Sequence, residues 1–99
     1  MTISDIAFLS DLEEIINDRI ENPKSESYTA QLFQAGTKRI AQKVGEEGLE
    51  LALAAATGDK DEVIDEAADL MYHLLVLLAD QHLKLGTVAK RLRTRHSGR

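Results

Sequence analysis

Between Ala67 and Ala79 the sequence reads AADLMYHLLVLLA, and only Asp69 and His73 in it are polar. No other stretch constrains the fold as strongly. The uncharged run from Leu70 to Ala79 is about half of the roughly 20 residues that a membrane-spanning helix needs. A soluble helix that is apolar on nearly every face must be surrounded by other helices. A chain of 99 residues buries only part of its apolar surface by itself. We therefore expect an all-α bundle completed by a second copy, a homodimer whose core mixes helices of both subunits.

The rest of the chain agrees with helices. Ala, Leu, Glu and Lys dominate, and all are good helix formers. Hydrophobic residues at 43% and charged residues at 29% describe a globular chain, not a disordered one. Nothing alternates with period two, so no strands are predicted. Residues 1–99 read as a single domain with five helical segments. Ser4 is placed as the cap of a first helix to about Glu21, ended by Asn22-Pro23 because the residue before Pro avoids the α region. Ser27 begins a short helix, YTAQLFQA, closed by Gly36. Thr37 caps a long third helix ending near Thr57-Gly58. Asp59 to Asp61 cap a long fourth helix running to about Leu85-Gly86. Thr87 caps a short basic last helix. The third and fourth helices are expected to pack antiparallel at the centre.

There is no Cys, which excludes disulfides, thiolate zinc sites and thiol nucleophiles. A small secreted domain would usually need such staples, so a cytoplasmic location is expected. The N-terminus has no basic region and carries acids early, unlike a signal peptide. Charge is unevenly placed. Residues 1–83 carry all 17 acids and six of the 12 bases, while residues 84–99 carry six bases and no acid. The basic segment from residue 83 onward has no interleaved aromatics, and the acidic body would repel a phosphate backbone, so no nucleic-acid partner is expected. Its bases suit the C-terminal end of a helix dipole. They can also attract a small polyphosphate.

The carboxylates carry the chemistry. On a helical wheel Glu46, Arg39, Glu50, Lys43 and Glu47 share one arc of about 100° on the third helix. Ile40, Val44 and Leu51 lie beyond one edge of it and Leu53 beyond the other. Gly45 and Gly48 point elsewhere, where another helix is expected to approach closely. On the fourth helix Glu66 and Asp69, three apart, are neighbours on one face. Two acidic stripes on neighbouring helices repel, and crowded like charges raise each other's pKa. A divalent cation between them removes the conflict. Oxygen ligands with no Cys and no His pair favour Mg²⁺, with Mn²⁺ as a substitute, over zinc.

Either motif alone is commonly a solvated helix face. The pairing of Glu47-x-x-Glu50 with Glu66-x-x-Asp69, the latter running into an apolar helix, is more specific. A redox di-iron bundle would need Glu-x-x-His at i, i+3, and His73 lies four residues after Asp69. His73 reads first as a satisfied core histidine, and second as a donor to a phosphate oxygen or an orienter of a carboxylate. Lys43 and Arg39 either pair with neighbouring acids or contact phosphate. Tyr28 and Phe33 read most simply as core or dimer contacts.

At these residues the chain resembles the phosphoribosyl-ATP pyrophosphohydrolases, a branch of the all-α nucleotide pyrophosphohydrolases. SYTAQLFQAG at 27–36, QKVGEEGLELALAA at 42–55 and DEAADLMYHLLVLL at 65–78 carry the resemblance. It implies hydrolysis of phosphoribosyl-ATP to phosphoribosyl-AMP and pyrophosphate, the second step of histidine synthesis. It implies that Glu47, Glu50, Glu66 and Asp69 hold Mg²⁺, with Glu46 a ligand or water activator. Lys43, and with it Lys38 or Arg39, would contact the polyphosphate. One departure is Gly48, where the family pattern leads us to expect Ala. Many relatives are fused to a cyclohydrolase, and a separate protein is expected to supply that next step here. The alternatives are a house-cleaning pyrophosphohydrolase for ordinary or damaged nucleoside triphosphates, and a non-catalytic helical interaction protein.

Overall fold

The computed structural model describes residues 3–24 and 26–97. Five helices follow one another: α1 (Ile3–Glu21), α2 (Tyr28–Ala35), α3 (Thr37–Thr57), α4 (Lys60–Asp80) and α5 (Leu85–His96). No strand occurs among the described residues. None of the helices is long and apolar enough to cross a membrane.

Local punctuation sets most of the boundaries. The Ser27 hydroxyl accepts the Ala30 N–H at 3.1 Å and caps α2. Gly36, at φ 100°, separates α2 from α3, and Gly58, at φ 82°, closes α3 in the left-handed conformation that favours glycine. The Asp59 carboxylate accepts the Glu62 N–H at 3.2 Å and starts α4.

Four expectations about helix ends are corrected. α1 begins at Ile3, so Ser4 lies inside the helix instead of capping it. Thr37 is the first residue of α3, and its hydroxyl donates to Asp80 Oδ2 at 2.8 Å instead of capping its own helix. α4 stops at Asp80, well before Gly86. There His82 takes the left-handed conformation, at φ 59°. The His82 N–H donates to the Ala79 carbonyl at 3.0 Å and the Leu83 N–H to the Leu78 carbonyl at 2.8 Å. This is the Schellman pattern, closed by a residue other than Gly. α5 then begins at Leu85, and Thr87 falls within its first turn. The Leu85 N–H donates to Glu13 Oε2 on α1 at 2.7 Å, so a carboxylate from another helix serves the start of α5.

α3 and α4 form the most extensive helix pair. The Gly58-Asp59 turn joins them at one end, and the Thr37–Asp80 bond ties them at the other, so they run antiparallel. α1 and α2 cover only the end near Thr37 and Asp80. There Ile16, Leu32, Ile40, Leu75 and Val76 form the buried core, with Leu12, Ile20, Phe33, Tyr72 and Leu85 packed against it. Toward the Gly58 turn the hairpin is uncovered, and Leu49, Leu53, Ile64 and Met71 are exposed. α4 is therefore not surrounded within one chain. Gly45 and Gly48 have no described atom within 4 Å of where a Cβ would stand, so the close helix approach expected there does not occur within the chain. α5 buries no residue, and Arg93, Arg95 and His96 occupy its last turn, where the dipole favours them.

Candidate metal centre

The border between the covered and uncovered halves of the hairpin is where the carboxylates meet. Glu47 on α3 faces Glu66 and Asp69 on α4, and one ligand oxygen from each lies within 4.8 Å of the others. Two oxygens on the same Mg²⁺ lie at most about 4.2 Å apart, because each metal–oxygen distance is about 2.1 Å. A small side-chain adjustment would therefore bring the three within reach of one divalent cation.

Glu47 is 5% exposed. Its Oε1 pairs with Lys43 Nζ at 3.2 Å. Its Oε2 is buried and has no hydrogen-bond partner among the described residues. A buried carboxylate oxygen without a partner is costly, and a bound cation would satisfy it. The donor set is all oxygen, as a hard divalent cation requires. Desolvation raises the Glu66 carboxyl above its ordinary value, with further contributions from the charges of Glu50, Asp69 and Glu47 and a hydrogen bond with Glu50. Lys43 is held above its ordinary value chiefly by its hydrogen bond to Glu47, against the opposing effect of burial. It stays an ammonium at neutral pH beside the acidic cluster.

The other expected residues stand at stated places around this trio. Glu50 is exposed and outside it, acting on Glu66 from the open side. Glu46 accepts from Gln42 Nε2 at 2.9 Å and sits 3.7 Å from Lys43 Nζ, beside the trio and not in it. Lys38 and Arg39 are exposed, about one turn before Lys43, and form no ion pair among the described residues. His73 is buried. Its Nδ1 lies 2.7 Å from the main-chain carbonyl of Asp69, which can only accept, so Nδ1 carries the proton. In the neutral ring Nε2 is then an acceptor, and the Tyr28 hydroxyl donates to it at 3.0 Å. Both ring nitrogens are occupied, and neither reaches a carboxylate.

The polar network around His73 escaped the sequence reading. Tyr28 and Tyr72 pack edge-on to the His73 ring, with centroids at 5.9 and 5.0 Å. The Tyr72 hydroxyl bonds Thr29 Oγ1 on α2, and burial pushes the Tyr72 phenol up. Tyr28, Thr29, Tyr72 and His73 together fasten α2 to α4 beside the trio. The only sequence signals were the SYT and MYH strings, which look like ordinary core.

An all-α domain that gathers carboxylates from two antiparallel helices at one half-desolvated point is a class defined by this fold and this centre. The pattern of the phosphoribosyl-ATP pyrophosphohydrolase family matches residues 9–96, and the chain belongs to that family. The histidine biosynthesis bifunctional protein HisIE of Campylobacter jejuni is 59% identical over 93 residues, 94% of this chain and 45% of that protein. The bifunctional protein of the same name from Shewanella oneidensis is 62% identical over 89 residues, 90% of this chain and 42% of that protein. The chain spans less than half the length of these relatives.

Proposed function

We propose that this chain hydrolyses phosphoribosyl-ATP to phosphoribosyl-AMP and pyrophosphate with Mg²⁺ at the carboxylate centre, in histidine biosynthesis. Membership of the family supports the substrate. The unpartnered Glu47 Oε2 inside the acidic trio is the one observation that carries the metal. Glu47, Glu66 and Asp69 hold the ion and Glu50 completes the set from the open side. Mn²⁺ serves as a substitute. The bound cation would neutralise phosphate charge and lower the pKa of the attacking water.

The remaining roles belong to the chain's own side chains. Lys43 balances the Glu47 charge and contacts the polyphosphate, and Lys38 and Arg39 extend that cationic rim. Glu46 takes the proton from the attacking water. One water is consumed, a new P–O bond forms, and the anhydride bond between the α and β phosphates breaks. His73, engaged by the Tyr28 hydroxyl and the Asp69 carbonyl, stands beside the centre on the substrate-binding side. The exposed apolar residues Leu49, Leu53, Ile64 and Met71 supply the surface for a homodimer.

Pyrophosphate release from phosphoribosyl-ATP, ATP and dCTP, with and without Mg²⁺, tests the reading. Release from phosphoribosyl-ATP alone, and only with Mg²⁺, is the expected result. Equal turnover of ordinary triphosphates would move the chain to house-cleaning chemistry. Folded protein with no turnover of any of them would leave a helical interaction protein.

A further inference from the structure

We propose that Tyr28 is the stacking residue for the nucleotide base, held at the rim of the centre by His73; this rests on the nucleotide reading above. Tyr28 opens α2, immediately after the Ser27 cap, so its backbone is fixed. Its hydroxyl is tied to His73 Nε2, and His73 is itself tied to the Asp69 carbonyl. The Tyr28 ring rests against Tyr72, with centroids 6.2 Å apart and planes 30° from each other. Despite these ties the residue is 49% exposed. A large aromatic side chain has thus been immobilised with half its surface open, which is what a pre-organised stacking platform requires.

Its place matters as much as its exposure. Through His73 the phenol is joined to the main chain of Asp69, a member of the acidic trio, and Lys43 pairs with Glu47 in the same trio. Two sets of contacts therefore meet at the centre: Tyr28 reaches Asp69 through His73, and Lys43 reaches Glu47, whose carboxylate faces Asp69. A nucleotide whose phosphates lie at Lys43 and the trio would bring its base to this rim. Leu49, Leu53, Ile64 and Met71, the exposed apolar residues of the hairpin, carry no aromatic ring. His73 is a positioning residue in this scheme, since both its nitrogens are spent on Tyr28 and Asp69.

Steady-state kinetics with phosphoribosyl-ATP at saturating Mg²⁺ test the proposal on unmodified protein, Tyr28→Leu and Tyr28→Phe. Base–aromatic stacking predicts that Tyr28→Leu raises KM about tenfold or more while kcat holds within about twofold. Tyr28→Phe keeps the ring and is expected to stay within about threefold in KM. A Tyr28→Leu protein with unchanged KM overturns the proposal. So does one whose only change is in oligomeric state, which would make this face an interface between copies.

A second measurement is independent of turnover. The chain has no Trp and only two Tyr, so in Tyr72→Phe protein Tyr28 is the sole strong fluorophore. AMP is expected to quench its emission. Unchanged emission at AMP concentrations that inhibit hydrolysis competitively overturns the stacking role and leaves the hydrolase reading standing. Quenching by AMP in a protein that turns over no phosphoribosyl-ATP does the reverse.

Discussion

The two halves of the α3–α4 hairpin are built from the same helices and have opposite surroundings. In the half capped by α1 and α2, Ile40 and Val76 are wholly buried. In the half leading to Gly58, Leu53 and Ile64 are 58% and 64% exposed. The acidic centre lies at the border. The covered side desolvates Glu47 enough to strand one of its oxygens. The open side leaves Asp69 and Glu50 within reach of solvent and substrate. A fully covered hairpin would hold no polyphosphate, and a fully open one would leave the carboxylates solvated and indifferent to a cation.

The contrast is most directly broken by truncating one side chain in each half. Ile40→Ala is expected to cost about 2–5 kcal/mol, because it leaves a cavity in the buried cluster of Ile16, Leu32, Leu75 and Val76. Leu53→Ala, by comparison, should stay within about 0.5 kcal/mol for an isolated chain. Denaturant unfolding measured across a range of protein concentrations checks both. A cost at Leu53 that grows with protein concentration would show the open half covered by a second copy.

Asp69→Asn removes a ligand from the border itself. Loss of an outer-shell partner costs 10–100-fold at metal sites, so loss of a ligand should reduce kcat/KM by about a hundredfold or more. The fold is expected to survive, as circular dichroism would show. Full activity in this variant would refute the metal centre.

The pH dependence sharpens the border from another side. Glu66 is raised in the folded protein, so the folded state binds its proton more tightly than the unfolded state does. The associated stabilisation is fully present below the ordinary carboxyl value of 4.5 and is lost as pH rises through the raised folded value. Metal-free protein should therefore lose this increment on going up through that window, and Glu66→Gln should not. Thermal unfolding of the two proteins side by side measures the difference. Mg²⁺ competes with the same proton, so its affinity is expected to weaken as pH falls through the window.

The smallest effect is expected at Gly48→Ala. No described atom within 4 Å opposes the added methyl, and a helix-interior Gly costs up to about 1 kcal/mol relative to Ala. The variant should be slightly more stable. Destabilisation would mean that a second chain packs against the uncovered half at this point.

Much of the fold was legible because it is written locally. Ser27, Gly36, Gly58 and Asp59 each act on residues within one turn, and their positions in the sequence agree with the helix ends they make. The ends that misled have non-local or unmarked causes. Thr37 is drawn away by Asp80, 43 residues on. α5 begins where Glu13, 72 residues earlier, meets the Leu85 N–H. α4 stops at a left-handed His82, where no Gly advertises the stop.

The site divides in the same way. Spacing at i, i+3 and i, i+4 put Lys43, Glu46, Glu47 and Glu50 on one arc and Glu66 with Asp69 on another, because helix periodicity is a property of the chain itself. Periodicity cannot choose among members of an arc. Glu47 turns inward while Glu46 stays with Gln42 and Lys43 and Glu50 stays in solvent, and this depends on where α4 lies against α3. The sequence by itself thus determined an all-α chain with two acidic stripes and an over-apolar fourth helix. Only the tertiary packing decided which carboxylate is stripped of water, and that His73 serves Tyr28, because burial and partnership are set by neighbours distant in sequence.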